Sequence, residues 1–332
     1  MPRTNLEKRL ARRHQEGEIV PILNKLLEDP VGIDNEWDVK FLERLAAKQV
    51  EREALRKQSY EDGKTVFSPS SLASCLRRSY LSKNHREHGL HRVETKAIEP
   101  HYYFLTGDFI HLKVQFLLYK ASMKWPDKIL LVDTEMPVMS KRGDHGGTVD
   151  VLVILDGEPL IVDVKGLNVR AFANVDKGEP SHGYRIQLAD YMMLFNAMIQ
   201  GGRWKASDQL LEYLSQWGHE SMPKVKRGIL LAENKGGPDL AHPAAFTEHI
   251  VKLKDNLPEL RIRMEALRAY EESKEIPEAE CESTRLIEFT GCPFADYCRP
   301  EVKQREAKRL EAQESKGYRL ARPKRRSRSR RT

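Results

Sequence analysis

The stretch GTVDVLVILDGEPLIVDVKGL, residues 147–167, decides how the chain is read. Residues 147–155 and 159–167 are short, apolar and rich in β-branched side chains, and Asp-Gly-Glu at 156–158 is turn chemistry between them. They predict two strands of a hairpin. Within the second, Val162-Asp163-Val164-Lys165 sets an acid and a lysine in a segment otherwise built for burial. Side chains alternate along a strand, so Asp163 and Lys165 share one face while Val162 and Val164 take the other. Asp150, on the first strand, lies close to where pairing brings it alongside Asp163. Two carboxylates that converge away from water repel each other and invite a divalent cation. Mg2+ or Mn2+ suits such oxygen ligands, and an adjacent Lys165 ammonium can orient a water or meet developing charge. The residues alone also admit a plainer reading, a buried Asp–Lys ion pair kept for structure.

Working outward, ILLVDTEMPVM (129–139) predicts a preceding strand and VKRGILLAEN (225–234) a fourth. Glu135, on the first of these, either points toward the carboxylates or is an exposed strand acid. HGYRIQLADYMMLFNAMIQ (182–200) has helical spacing, with Ile186, Tyr191, Leu194, Phe195 and Met198 near one stripe. A long helix is expected over 243–274. Upstream, helices are expected at roughly 4–28, 35–58 and 100–123. Another should be capped by Ser68 or Ser70 and carry Leu72, Cys75, Leu76 and Tyr80 near one face. The order gives an α/β core with helical additions at both ends.

At 332 residues, with 40% hydrophobic and 32% charged residues, the chain can bury one large core or two smaller ones. No run of about 18 apolar residues occurs, so a membrane-spanning helix is not expected. The opening residues are polar and charged, unlike a secretory signal, and a cytoplasmic location is expected. The net charge of +7 is concentrated: residues 322–332 hold seven Arg and Lys and no acid, which leaves 1–321 close to neutral. Such a tail is expected to be disordered. It can attract nucleic-acid phosphate, act as a nuclear address in a eukaryotic host, or simply be solvated.

The string from 147 to 167, followed by QLADYMML, resembles the PD-(D/E)xK nucleases of the RecB type, which include phage exonucleases and CRISPR-associated iron–sulfur nucleases. The resemblance covers about residues 65–300. It implies a restriction-endonuclease-like α/β core, a central mixed sheet flanked by helices. The family's metal-site acids and lysine match Asp150, Asp163 and Lys165, and its Q-x-x-x-Y pair matches Gln187 and Tyr191 on the following helix. Its G-x-x-x-H matches Gly107 to His111, so the implied metal ligands are His111, Asp150, Asp163 and the backbone carbonyl of Val164. By themselves, His111 reads as an ordinary helix histidine, and Gln187 and Tyr191 as helix surface and core.

Four cysteines, Cys75, Cys281, Cys292 and Cys298, match one tetrahedral zinc, one iron–sulfur cluster, or four unrelated buried thiols. The family has an iron–sulfur subgroup with one cysteine before the core and three after it. SPSSLASCLRRSYL around Cys75 and GCPFADYC around Cys292 and Cys298 are similar to it; Cys281 stands farther from Cys292 than is usual there. The subgroup implies a 4Fe–4S cluster clamping the chain ends, with zinc as the alternative. The expected organisation is a helical N-terminal region (1–64), a nuclease domain (65–300) with a cysteine-closed C-terminal segment, and a charged helix with a basic tail (301–332).

The function this implies is a Mg2+- or Mn2+-dependent exonuclease acting on DNA ends or single strands in recombination, repair or phage DNA processing. A recombination or replication protein is a possible partner. The rivals are a structure-specific endonuclease on the same core, a catalytically silent DNA-binding or assembly protein, and a zinc-stabilised RNA-binding module.

Overall fold

A computed structural model of the chain describes residues 17–61, 66–91, 98–236, 245–284 and 292–315. Its centre is a five-stranded sheet in sequence order, built from β1 (Ile129–Met139), β2 (Gly146–Leu155), β3 (Glu158–Leu167), β4 (Arg227–Asn234) and β5 (Phe246–Lys252). Neighbours are antiparallel except β3 and β4, which are parallel, so the sheet is mixed. A parallel pair needs a long crossover. Here it carries α6 (Val169–Asp176), α7 (His182–Gln200) and α8 (Asp208–Ser215).

The hairpin forms as expected. Asp156 and Gly157 both have positive φ, 47° and 79°, which is the two-residue turn whose twist matches flanking strands. A Cβ at Gly157 would also strike Trp217, 2.6 Å away, so this position tolerates little but glycine.

Helices cover both faces of the sheet. On one side α1 (Val20–Leu26) and α5 (Ile98–Lys124) supply Leu23, Val114 and Leu118 to a core shared with Val151, Val162 and Val164. On the other, α7 packs with α9 (Leu253–Ser273), α3 (Pro69–Leu72) and α4 (Leu76–Asn84) over Leu152, Ile154 and Ile161. The strand alternation read from 162–165 therefore holds. Helix α2 (Glu36–Glu61) lies outside this sandwich, with only Leu45 fully buried among the hydrophobics whose side chains are described, and α10 (Ala295–Ser315) ends the described chain. Among the described residues no helix is long and apolar enough to cross a membrane.

Three sequence expectations change. The helix read over 243–274 is a strand followed by a helix: β5 pairs antiparallel with β4 from Arg227↔Lys252 to Glu233↔Phe246, and α9 starts only at Leu253. The clue was the β-branched and aromatic content of Phe246-Thr247-Glu248-His249-Ile250-Val251, masked by the charged helical run behind it. The helix expected from Ser68 through Tyr80 is two. Ser68 and Ser71 close a capping box, and the Ser74 hydroxyl then bonds the Ser71 carbonyl at 2.6 Å, competing with helical continuation. Cys75 falls in the break, as N-cap of α4. Of the helix read over 4–28, the described part is helical only from Val20 to Leu26; residues 1–16 lie outside the described residues, as does the basic tail at 316–332.

Candidate metal centre and cysteine cluster

The pairing of β2 with β3 runs from Leu155↔Glu158 to Val151↔Val162 and stops there. The next residues in register would be Asp150 and Asp163. Instead of continuing the ladder, the Asp150 carboxylate occupies the gap, and its Oδ2 accepts the Val164 backbone N–H at 2.7 Å. The strands split where two buried acids would otherwise face each other.

Three side chains from three elements meet at that split. His111 on α5, Glu135 on β1 and Asp150 on β2 each offer a ligand atom, and these atoms all lie within 4.8 Å of one another. His111 Nδ1 stands 3.4 Å from Asp150 Oδ1. Glu135 lies opposite Asp150, just after a bulge at 131–133, and has an uncommon positive φ of 50°. Gln115, one turn beyond His111, holds both strands: its Nε2 donates to Glu135 Oε1 at 2.8 Å and to the Asp150 carbonyl at 3.0 Å.

Asp163 and Lys165 stand beside this group. Lys165 Nζ donates to Asp163 Oδ1 at 2.9 Å and stands equally close to Oδ2, so the ammonium sits astride the carboxylate. The grouping shares His111 and Asp150 with the expected ligand set and adds Glu135; Asp163 and the Val164 carbonyl are not in it, and Asp163 is held by Lys165. Gln187 and Tyr191 lie one turn apart on α7. Tyr184, one turn earlier, lies under Lys165, whose Nζ is 5.9 Å from the ring centroid.

The electrostatics follow from burial and mutual charge. Burial pushes Asp150 up, but His111, Lys165 and the Val164 N–H together outweigh it and hold Asp150 below its usual range. Asp163 is raised, because burial and the neighbouring Asp150 carboxylate exceed the pull of Lys165. Burial and Asp150 likewise raise Glu135 against Arg52 and Gln115. Burial disfavours charge on Lys165, yet Asp163 and Asp150 raise it overall. Tyr191 is pushed well above its usual range by burial and then by the two aspartates, so it stays a neutral phenol. Crowded buried carboxylates beside a histidine nitrogen form a donor set that fits a hard divalent cation.

The four cysteines also come together. Burial, followed by the neighbouring Cys75, Cys292 and Cys298, pushes the Cys281 thiol up to about 11. Cys298 is raised by burial first and receives a hydrogen bond from Arg77 Nη1 at 3.8 Å. Arg77 also pairs with Glu301 at 2.6 Å, and Leu76 N–H donates to Glu280, so α4 is tied to the segment more than 200 residues later. None of the four is in a disulfide. Among the described residues, no three cysteine sulfurs lie within 4.8 Å of one another.

Sequence reasoning had named every member of the central group, with Glu135 left open. It missed Gln115, whose signal was its place one turn after His111, and Tyr184, one turn before Leu188 and beside the matched pair. It also missed Arg52, for which the sequence offered none. No protein-family profile matches the chain, and no curated relative does. A solved structure titled "Crystal structure of SSO0001" is 15% identical, with 85% of this chain and 97% of that one aligned at a TM-score of 0.39. The site therefore rests on its own geometry.

Proposed function

We propose that this protein is a divalent-cation-dependent deoxyribonuclease with a restriction-endonuclease-like core, acting on DNA ends or single strands. One observation carries the reading: His111, Glu135 and Asp150 converge within 4.8 Å beside a buried Asp163–Lys165 pair. Mg2+ or Mn2+ held there would supply Lewis acidity and a more acidic bound water. The chain's own residues account for the rest. Lys165 keeps a fixed positive charge where a phosphodiester gains negative charge. Asp163 holds that ammonium in place, with both carboxylate oxygens 2.9 Å from it. Gln187 and the neutral Tyr191 phenol offer hydrogen bonds from the facing helix. The Val164 carbonyl completes the ligand set in this reading.

The cysteines fit a 4Fe–4S cluster that pins α4 to the C-terminal segment, a structural clamp set apart from the cutting chemistry. Recombination, repair or phage DNA processing is the setting such an exonuclease suits.

The test is digestion of linear, circular and single-stranded DNA with Mg2+ or Mn2+, on protein purified without oxygen. Metal-dependent loss of linear and single-stranded DNA, with closed circles spared, is the expected result. Cut circles would make it an endonuclease. No cleavage by well-folded protein that still binds DNA would leave a silent DNA-binding protein.

A further inference from the structure

Helix α2 approaches the metal centre from outside the nuclease core. Two of its side chains, one helical turn apart, reach β1. Lys48 Nζ bonds the Asp133 carboxylate and, at 2.8 Å, the Thr134 carbonyl. Arg52 Nη1 bonds Glu135 Oε2 at 2.5 Å. Between them they grip Asp133, where the bulge ends, and the next two residues, which include the positive φ at Glu135. A non-glycine residue in that backbone region persists only where its surroundings hold it there. The Glu135 side chain is 1% exposed and takes its second bond from Gln115. Its two oxygens are thus fixed by donors from two different helices.

We propose that Arg52, supported by Lys48, is a positioning residue for the divalent cation: it aims the Glu135 carboxylate at His111 and Asp150. Carboxylates that ligate metals are commonly held by hydrogen bonds of this kind, and losing the partner costs about 10- to 100-fold in metal affinity. A carboxylate oxygen has lone pairs for both a guanidinium and a cation, so the contact survives loading. The N-terminal helix thereby becomes part of the site rather than an accessory to it. Apart from these grips α2 is thinly packed: Asp38 is tied to Lys120, and Phe41 stacks on Tyr119 at 4.2 Å between centroids. Arg52→Ala leaves the buried Glu135 carboxylate without its guanidinium, so the stability of each variant is read beside its metal binding.

This inference rests on the metal-centre reading, and one titration separates the two. Mn2+ binding is followed by electron paramagnetic resonance of the free ion, without DNA and without turnover. Wild type, Arg52→Ala, Arg52→Lys, Lys48→Ala and Lys40→Ala are compared, with circular dichroism and melting recorded for each. Lys40, on the same helix, pairs only with Glu36 and Trp37 in the described contacts and serves as the control. Arg52→Ala should weaken Mn2+ at least about tenfold. Arg52→Lys should recover part of the loss, Lys48→Ala should fall between, and Lys40→Ala should match wild type. If wild type binds Mn2+ and Arg52→Ala binds equally well or more tightly, Arg52 is merely a bound countercharge and the proposal is overturned. If Lys40→Ala weakens binding as much as Arg52→Ala, the effect belongs to the helix as a whole and the proposal is likewise overturned. Absence of Mn2+ binding in wild type would instead sink the metal-centre reading itself.

Discussion

Asp150 accepts the Val164 backbone N–H at 2.7 Å, where the β2–β3 ladder gives out, so one carboxylate both ends a sheet pairing and lines the candidate metal centre. The two roles can be separated. In Asp150→Asn the amide oxygen still accepts the N–H, and repulsion with Asp163 and Glu135 is relieved. The variant should melt at or above the wild-type temperature without metal. Wild type at a hundredfold excess of Mn2+ over Kd should gain about 2.7 kcal/mol, and Asp150→Asn should gain almost none. Asp150→Ala should be less stable than Asp150→Asn by about 1–3 kcal/mol, the cost of an unpaired buried N–H. Melting each protein with and without Mn2+ decides it; a full Mn2+ shift in Asp150→Asn would remove Asp150 from the ligand set.

Lys165 faces a different separation, between holding Asp163 and acting on substrate. Lys165→Met leaves the Asp163 carboxylate, whose side chain is 1% exposed, without its counterion. Breaking a buried pair from one side costs about 3–5 kcal/mol. Adding Asp163→Asn should return much of that stability, because the uncompensated charge is gone. Cleavage should stay at least about a hundredfold below wild type in both variants, since the charge proposed to meet the phosphate is missing. Urea unfolding and DNA digestion on the same samples test this. Cleavage restored together with stability would mean that Lys165 is structural.

What the sequence could reveal was whatever is written locally. The hairpin was legible because Asp156-Gly157 carries its own turn chemistry and the flanking runs are β-branched. Asp163 and Lys165 were legible as a same-face pair because strand alternation depends on no distant partner. The split at Asp150 was not, since it arises where two strands decline to pair. Glu135 was left open for a related reason: its inward aim depends on a bulge and on Arg52, from a helix more than 80 residues upstream. β5 was lost because its seven residues do not alternate cleanly and sit directly against a 21-residue helix whose periodicity dominates any window that spans both.

The N-terminal helix should show its dependence on charge in a pH profile. Lys120, on α5, bonds Asp34 and Asp38, and the Asp38 side chain is almost wholly buried. Burial pushes Asp38 up, but the Asp34 N–H and Lys120 outweigh it, leaving its pKa below the ordinary value. Burial opposes charge on Lys120, yet Asp34 and Asp38 raise it overall. A depressed carboxylate contributes stability above its unfolded pKa of about 3.9 and loses it as pH falls through the folded value. A raised lysine contributes below about 10.4 and loses it as pH rises through its folded value. The stability gap between wild type and Lys120→Met should therefore be full between about pH 4 and pH 10 and narrow on both sides. A series of urea midpoints across that range tests it; a gap that is flat below pH 3 would mean that Lys120 acts through packing alone.

The cysteine cluster makes its own prediction in two states. Without a bound centre, burial and three neighbouring sulfurs hold the Cys281 thiol at about 11, so only about one molecule in a thousand carries its thiolate at pH 8. Alkylation of Cys281 in chelator-treated protein should then be slow at pH 8 and rise steadily toward pH 11, because the thiolate is the nucleophile. With iron–sulfur present the logic inverts, since a bound cation deprotonates a coordinating thiol and shields it from alkylation. Protein made without oxygen should carry visible charge-transfer absorption and resist alkylation at every pH. Cys281→Ser should lose that absorption and melt earlier than wild type, because the tie between α4 and the C-terminal segment is loosened. It should keep the Mn2+-induced gain in stability, since His111, Glu135 and Asp150 lie in a separate cluster. Mass-spectrometric mapping of alkylated cysteines, read beside the visible spectrum, distinguishes the cases. Rapid labelling of Cys281 at pH 8 in protein free of metal would show that the four thiols do not share one buried environment, and the clamp would have to be abandoned.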